Sequence, residues 1–498
     1  MIWLTLVACT GDSFDSASAG DSRGAETGAP ADSGELTPVA SCGTVEPLAW
    51  GQDTCVDAAP CRLSGEQAYE YLGYSLASGH DVDGDGLPEV LAGALGYDEG
   101  DTAYAGRAAL VYGASWAAGE PAIGAALTAR ASQAYLGHSV ALSPDVNGDG
   151  YAELLVGSYG AADPDAFAGA VHLVLGGPSL PATLSADASW TGESAYGQLG
   201  YRVLAPGDLD GDGLAELAFA GELKTLGDDG QEDYRAGSVY VVRGSETPAG
   251  GSAADADARW DGASDGAASG LGLAAADFDG DGDGDLAVSA PYGSSNYGDV
   301  YLIDGADAVA GGSLADQTDV GADAYYSGFG VFLAADDLDG DGAAELVIGA
   351  PSDDRALPDA GAVHIYAGGA DALTGAPERV AVLTGAWDDA WLGSGLATGG
   401  DVDGDGLNDL LVGAITAWTG LRPKNGRSAI YKGRTAWTDA TLDDAELRFH
   451  GVGRKDYLGQ AQALADLDAD GRADVVIGSG FHDVGSTDVG MLWVFFGG

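Results

Sequence analysis

Short apolar runs recur along the chain, each closed by glycine and followed by a polar loop. Val90-Leu91-Ala92, Leu154-Leu155-Val156, Leu346-Val347-Ile348 and Val475-Val476-Ile477 are examples. Runs this short between glycines predict buried strands rather than helices. An apolar-Gly pair stands upstream of each run: Leu72-Gly73, Leu136-Gly137, Leu199-Gly200, Leu271-Gly272, Phe329-Gly330, Leu392-Gly393 and Leu458-Gly459. Between pair and run lies an acidic loop. Its first residues are Asp81, Asp145, Asp208, Asp277, Asp337, Asp401 and Asp466, at intervals of 64, 63, 69, 60, 64 and 65 residues. A glycine then opens a third strand, as at Gly106 and Gly361, and a fourth strand precedes the next unit. Four short strands repeated radially predict an all-β, seven-bladed β-propeller with four-stranded blades.

The ends test this reading. The fourth strand has its own signature, seen in Trp190-Thr191-Gly192, Leu383-Thr384-Gly385 and Phe449-His450-Gly451. The last unit reaches Gly498 just after its third strand, and the matching piece is Leu63-Ser64-Gly65 near the other end. An N-terminal strand near Cys61–Gly65 is therefore expected to pair with 490–496 and close the ring.

The acidic loops follow one rule. Carboxylate or amide oxygens stand at positions one, three, five and nine, and glycine at position six. A tight turn needs a residue that tolerates positive φ there, and alternate side chains then converge on one point. The expected ligands, with the carbonyl of position seven, are Asp81, Asp83, Asp85, Leu87 and Glu89 in the first loop. They are Asp145, Asn147, Asp149, Tyr151 and Glu153 in the second, and Asp208, Asp210, Asp212, Leu214 and Glu216 in the third. The fourth has Asp277, Asp279, Asp281, Asp283 and Asp285, and the fifth Asp337, Asp339, Asp341, Ala343 and Glu345. The sixth has Asp401, Asp403, Asp405, Leu407 and Asp409, and the seventh Asp466, Asp468, Asp470, Arg472 and Asp474. One such loop is an ordinary solvated Asp-Gly turn. Seven complete ones point to Ca2+, up to seven ions, because calcium takes six to eight hard oxygen donors. Magnesium demands a stricter octahedron, and zinc prefers His or Cys. An EF-hand is excluded, since its position twelve needs Glu and these loops hold Ala92, Val156, Phe219, Val288, Ile348, Val412 and Ile477. The expected affinity is that of an extracellular module, roughly 10⁻⁴ to 10⁻³ M.

Charge narrows the partners. The chain carries 78 acids against 20 bases, a net charge of −58. The loops account for 27 of those acids, so the remainder is still strongly acidic. Such a surface repels phosphate backbones, which excludes nucleic acid as a partner. Four cysteines all precede residue 62. Ile2 to Ala8 is apolar and too short to span a bilayer, and reads as a signal segment, residues 1–9. Leu6-Val7-Ala8-Cys9 resembles a bacterial lipobox, which implies lipidation of Cys9 and a secreted, outer-membrane or cell-surface location. Residues 10–40 are expected to form a flexible tether, 41–57 a cysteine-containing lead-in and 58–498 the propeller. Two of Cys42, Cys55 and Cys61 are expected to pair, and the sequence leaves open which.

The apolar-Gly opening, the loop Asp-x-Asp-x-Asp-Gly-x-x-Asp/Glu and the ending Ile348-Gly349-Ala350-Pro351 resemble FG-GAP repeats. These build the N-terminal propeller of integrin α subunits. The resemblance covers about residues 58–498 and implies that each calcium loop joins the first and second strands of its blade. It also implies that the opposite face carries the loops between strands four and one and between strands two and three. On that face Tyr71, Tyr135, Trp391 and Tyr457 each stand just before an apolar-Gly pair. They serve either to pack the blades or to line a mouth for a protein or a sugar. The expected function is a calcium-binding adhesion or protein-interaction module, monomeric, with a lectin-type propeller as the alternative. The six histidines fall at unrelated repeat positions, and Gly137-His138-Ser139 lacks the second glycine of a nucleophile elbow, so catalysis is not expected.

Overall fold

A strand that is apolar at every position must be covered on both faces. The second strands Val90–Ala94, Glu153–Ser158, Glu216–Gly221, Asp285–Ala290, Glu345–Ala350, Leu410–Ala414 and Asp474–Ser479 are buried along their whole length. The computed structural model describes residues 40–42, 48, 50–51, 53–162, 165–226, 232–375, 377–418, 424–484 and 487–498. In it each second strand is the interior of a small sheet. Blade one runs outward from the axis as Ser75–Ala77, Val90–Ala94, Arg107–Val111 and Ile123–Thr128, all antiparallel. Six further blades repeat this order. Each inner strand packs beside the next, and Ala461–Ala465 of blade seven returns to Ser75–Ala77 of blade one. The ring is thus a closed seven-bladed propeller.

Seven large apolar clusters each fill the gap between two neighbouring blades. Leu91, Leu110 and Leu127 of blade one, for example, meet Leu142, Leu154 and Val156 of blade two. The two glycine motifs of the repeat meet across the same gaps. A Cβ on Gly157 would lie 2.0 Å from the carbonyl oxygen of Gly200, and one on Gly478 would lie 2.4 Å from that of Gly73. The glycine ending one blade's second strand and the glycine opening the next blade are in backbone contact, so neither tolerates a side chain.

The ring closes as the sequence predicts. Cys61–Ser64 pairs antiparallel with Met491–Phe495 and supplies the fourth strand of blade seven. A disulfide joins Cys42 to Cys61, with Cα atoms 4.0 Å apart, and Ala40–Cys42 pairs along that strand. The lead-in also contributes. Asp53–Cys55 lies parallel to Leu447–His450 of blade six, and a 3-10 turn at Val56–Ala58 follows it. The same strand-and-turn precedes the fourth strands of blades four and six, at Gly312–Ser313 and Ala440–Thr441. The signal segment with Cys9, and the tether up to residue 39, lie outside the described residues. The long loop from Glu222 to Ala236 carries a ribbon of its own, Lys224–Leu226 against Glu232–Tyr234.

Candidate functional site

All seven acidic loops join the first strand of a blade to the second, on one face of the ring. Their backbone is folded around their own carboxylates. Position one accepts N–H groups from positions four and six, as Asp81 does from Gly84 at 2.6 Å and Gly86 at 2.8 Å. Asp145, Asp208, Asp277, Asp337 and Asp401 repeat both bonds. Asp466 accepts from Gly471 at 2.9 Å and Asp470 at 3.0 Å. The position-five carboxylates accept the N–H of Leu87, Tyr151, Leu214, Asp283, Ala343, Leu407 and Arg472, at 2.9–3.0 Å.

Position nine begins the second strand or directly precedes it, as Glu89 and Asp409 do, and its carboxylate is buried. Glu89, Glu153, Glu216, Asp285, Glu345, Asp409 and Asp474 each accept the N–H of position two at 2.5–2.9 Å. Burial pushes these carboxyls well above the ordinary range, against the pull of those N–H bonds. Glu89 and Glu153 rise to about 8, Glu216, Asp285, Glu345 and Asp474 to about 7, and Asp409 to about 6. Burial and neighbouring acids also raise Asp83, Asp279, Asp339 and Asp468 at position three. In the first five loops, oxygens from three or four of these carboxylates lie within 4.8 Å of one another. Like charges held that close favour a bound divalent cation.

The loops also grip one another. The N–H of Ala152 donates to the carbonyl of Asp81 at 3.1 Å, Ala215 to Asp145 at 2.9 Å, and Ala473 to Asp401 at 2.8 Å. Two loops differ from the rest. Arg243 pairs with Asp210 in the third and Lys432 with Asp403 in the sixth, both at ligand position three. Each base directly follows its blade's third strand, whereas blade two has Leu175 there and blade five Ala367.

The opposite face carries an aromatic cup of about 510 Å³, lined by residues that include Tyr71, Tyr104, Tyr135, Tyr159, Phe167 and Phe481. Tyr135 stacks on Tyr159 with ring centroids 5.2 Å apart, and Phe481 meets both Tyr71 and Tyr457 edge-on at 5.3 Å. Of the four aromatics expected from the sequence, Tyr71 and Tyr135 line the cup, and Tyr457 reaches it only through its contact with Phe481. Trp391, 39% exposed, is not among the residues that line the cup. All four sit at positive φ, between 52° and 60°. The equivalent places in blades four and five are Gly270 and Gly328, also at positive φ. An aromatic there costs backbone strain that glycine avoids. Tyr104, Tyr159, Phe167 and Phe481 were missed from the sequence. Their signal was positional: Tyr104 and Phe167 each stand two residues before the glycine that opens a third strand.

Comparison with known proteins agrees with this architecture. The FG-GAP repeat family model matches residues 72–111, 136–174, 269–303, 329–366 and 459–495. Integrin alpha-5 of Xenopus laevis is 29% identical over 199 residues, 39% of this chain and 18% of that protein. Integrin alpha-PS2 of Drosophila melanogaster is 33% identical over 181 residues, 35% of this chain and 12% of that protein. A phosphatidylinositol-glycan-specific phospholipase D of Rattus norvegicus is 32% identical over 180 residues, 34% of this chain and 21% of that protein. The chain thus spans about a fifth, at most, of the length of these relatives.

Proposed function

We propose that this chain, an integrin-α-like propeller of FG-GAP repeats, is a calcium-stabilised adhesion module that meets a protein partner through its aromatic cup. The cup carries the proposal. Tyr71, Tyr135 and Tyr457 hold positive φ where blades four and five use glycine; Tyr71 and Tyr135 line the cup with Phe481, and Tyr457 packs against Phe481. Half-buried, pre-ordered aromatics of this kind are the usual anchors of a protein interface. Secretion and a lipid anchor at Cys9 belong to the same reading. So does the absence of catalysis: the Ser139 hydroxyl accepts the N–H of Val203, and His138 Nδ1 faces the Tyr201 carbonyl.

Calcium fits the acidic face. The donors are oxygens only, and Glu153 Oε1 and Asp210 Oδ1 are buried with no hydrogen-bond partner among the described residues. Bound there, calcium supplies positive charge that offsets the clustered carboxylates. The position-nine residues tie that charge to the second strand of each blade, so metal binding stabilises the blade. At a hundredfold excess over Kd, each filled site adds about 2.7 kcal/mol.

Two measurements test the proposal. Calorimetry in calcium and in chelator should show a large fall in melting temperature on chelation, and equal curves would remove the metal reading. Capture of partners from a cell-surface extract should fall at least tenfold for the triple variant Tyr71→Gly, Tyr135→Gly, Tyr457→Gly. Glycine suits the positive φ, and the variant's melting is followed in parallel because the lost ring contacts oppose that gain. Undiminished capture would exclude the cup, and binding on a protein-free glycan array would assign it to carbohydrate instead.

A further inference from the structure

Below the aromatic cup the axis holds a chamber of about 320 Å³, lined by the inner strands of all seven blades. Tyr74, His138 and Tyr201 line both cavities, so the two are contiguous. The chain has 78 acidic residues, yet no Asp or Glu lines the chamber among the described residues. Its one permanently charged group is Arg202. The Arg202 guanidinium donates through Nε to the Leu271 carbonyl at 2.7 Å and through Nη2 to the Val331 carbonyl at 3.5 Å. It lies over the Phe332 ring at 5.4 Å, and no carboxylate pairs with it among the described residues. Burial lowers its affinity for the proton, as expected for a cation without a counter-ion.

A second group points the same way. Gln462 is 7% exposed and lines the chamber, and both atoms of its side-chain amide lack a hydrogen-bond partner among the described residues. Within one chamber, an unmet buried amide and a guanidinium that has carbonyl partners but no counter-ion are costly unless a ligand completes them. The Nη1 group of Arg202, which is not spent on those carbonyls, is a charged donor to a carboxylate, and the Gln462 amide N–H is a further donor. The remaining wall is largely aliphatic: Leu76, Val140, Val203, Leu273, Leu333 and Leu396.

We infer that the axial chamber binds a small aliphatic monocarboxylate, its carboxylate held by Arg202 and Gln462 and its chain lying against the aliphatic wall. At a water's share of about 30 Å³, the volume admits roughly ten non-hydrogen atoms, the size of octanoate. This site is distinct from the calcium loops and from a protein partner at the cup.

Titration calorimetry on the full chain in calcium tests it, with octanoate, octan-1-ol and sulfate as probes. Octanoate should bind at least tenfold more tightly than octan-1-ol, which shares its length without the charge, and more tightly than sulfate, which lacks the chain. Arg202→Met should abolish octanoate binding while leaving octan-1-ol unaffected. Arg202 also ties carbonyls of blades four and five, so the variant's melting is followed in parallel. If it does not fold, Gln462→Leu replaces it and should weaken octanoate at least fivefold. Failure of octanoate to bind the parent, equal binding of octanoate and octan-1-ol, or unchanged binding in the variant that folds would each overturn the inference.

Discussion

Position four of the acidic loops turns through positive φ, between 74° and 81°, at Gly84, Gly148, Gly211, Gly280, Gly340 and Gly404. The seventh loop has Ala469 there, at 57°. An L residue in that region costs about 1–2 kcal/mol, and glycine loses about 0.4–1 kcal/mol more chain entropy on folding. Ala469→Gly should therefore stabilise the protein by about 0.5–1 kcal/mol in calcium, read by denaturant titration, and a destabilised variant would refute the account. The buried position-nine carboxylates make a second prediction. Their folded pKa values, about 6 to about 8, exceed the ordinary range near 4. A raised carboxyl stabilises the fold below its unfolded pKa, and that stability is lost as pH rises through the folded value. In chelator, melting temperature should fall between pH 4 and pH 8. Calcium needs the same groups ionised, so binding at pH 6 should release protons. Calorimetry in buffers of different ionisation enthalpy reads that release, and heats independent of buffer would contradict it.

At the scale of the element, the seven loops share one backbone plan but not one electrostatic setting. In the third and sixth, Arg243 and Lys432 hold the position-three carboxylate. Lys432 also lies over the Trp50 ring at 4.1 Å, which keeps it in place. A resident cation must be displaced before a metal takes that oxygen, so these two loops should bind calcium more weakly than the other five. Arg243→Ala with Lys432→Ala should raise the number of tighter sites by two in calcium titration; an unchanged profile would show that the cations are spectators. Much of this was legible in the sequence, because an acidic loop is contiguous: nine adjacent residues contain its whole donor set. The cup was legible only in part. Tyr71, which enters blade one, and Tyr457, which enters blade seven, meet through Phe481, which arrives from the loop after the second strand of blade seven. Membership there depends on angle around the axis, which chain position sets only once the ring is closed. Trp391 shares the motif position but enters blade six, outside the sector that blades seven, one, two and three contribute to the cup.

The whole molecule depends on one seam. Every other blade takes its four strands from one continuous stretch of chain, whereas blade seven joins Cys61–Ser64 to Met491–Phe495 across the two ends. The N-terminal piece does more than add that strand. Asp53–Cys55 covers the edge of blade six, Arg448 Nε donates to Asp53 at 2.5 Å, and the Cys42–Cys61 disulfide fixes Ala40–Cys42 beside the seam. Without residues 1–65, the edge of Met491–Phe495 would be unpaired, and that strand is apolar and buried along its length. An open apolar edge recruits another strand, so the truncated chain should self-associate. It should also lose cooperativity, because the cluster between blades seven and one includes Cys61 and Leu63. Light scattering after size exclusion should find oligomers, and calorimetry a lower, broader transition. A synthetic peptide of residues 53–65 added in trans should restore the monomer. If the truncated chain stays monomeric and melts like the parent, the ring is held by blade-to-blade packing alone and the seam is dispensable.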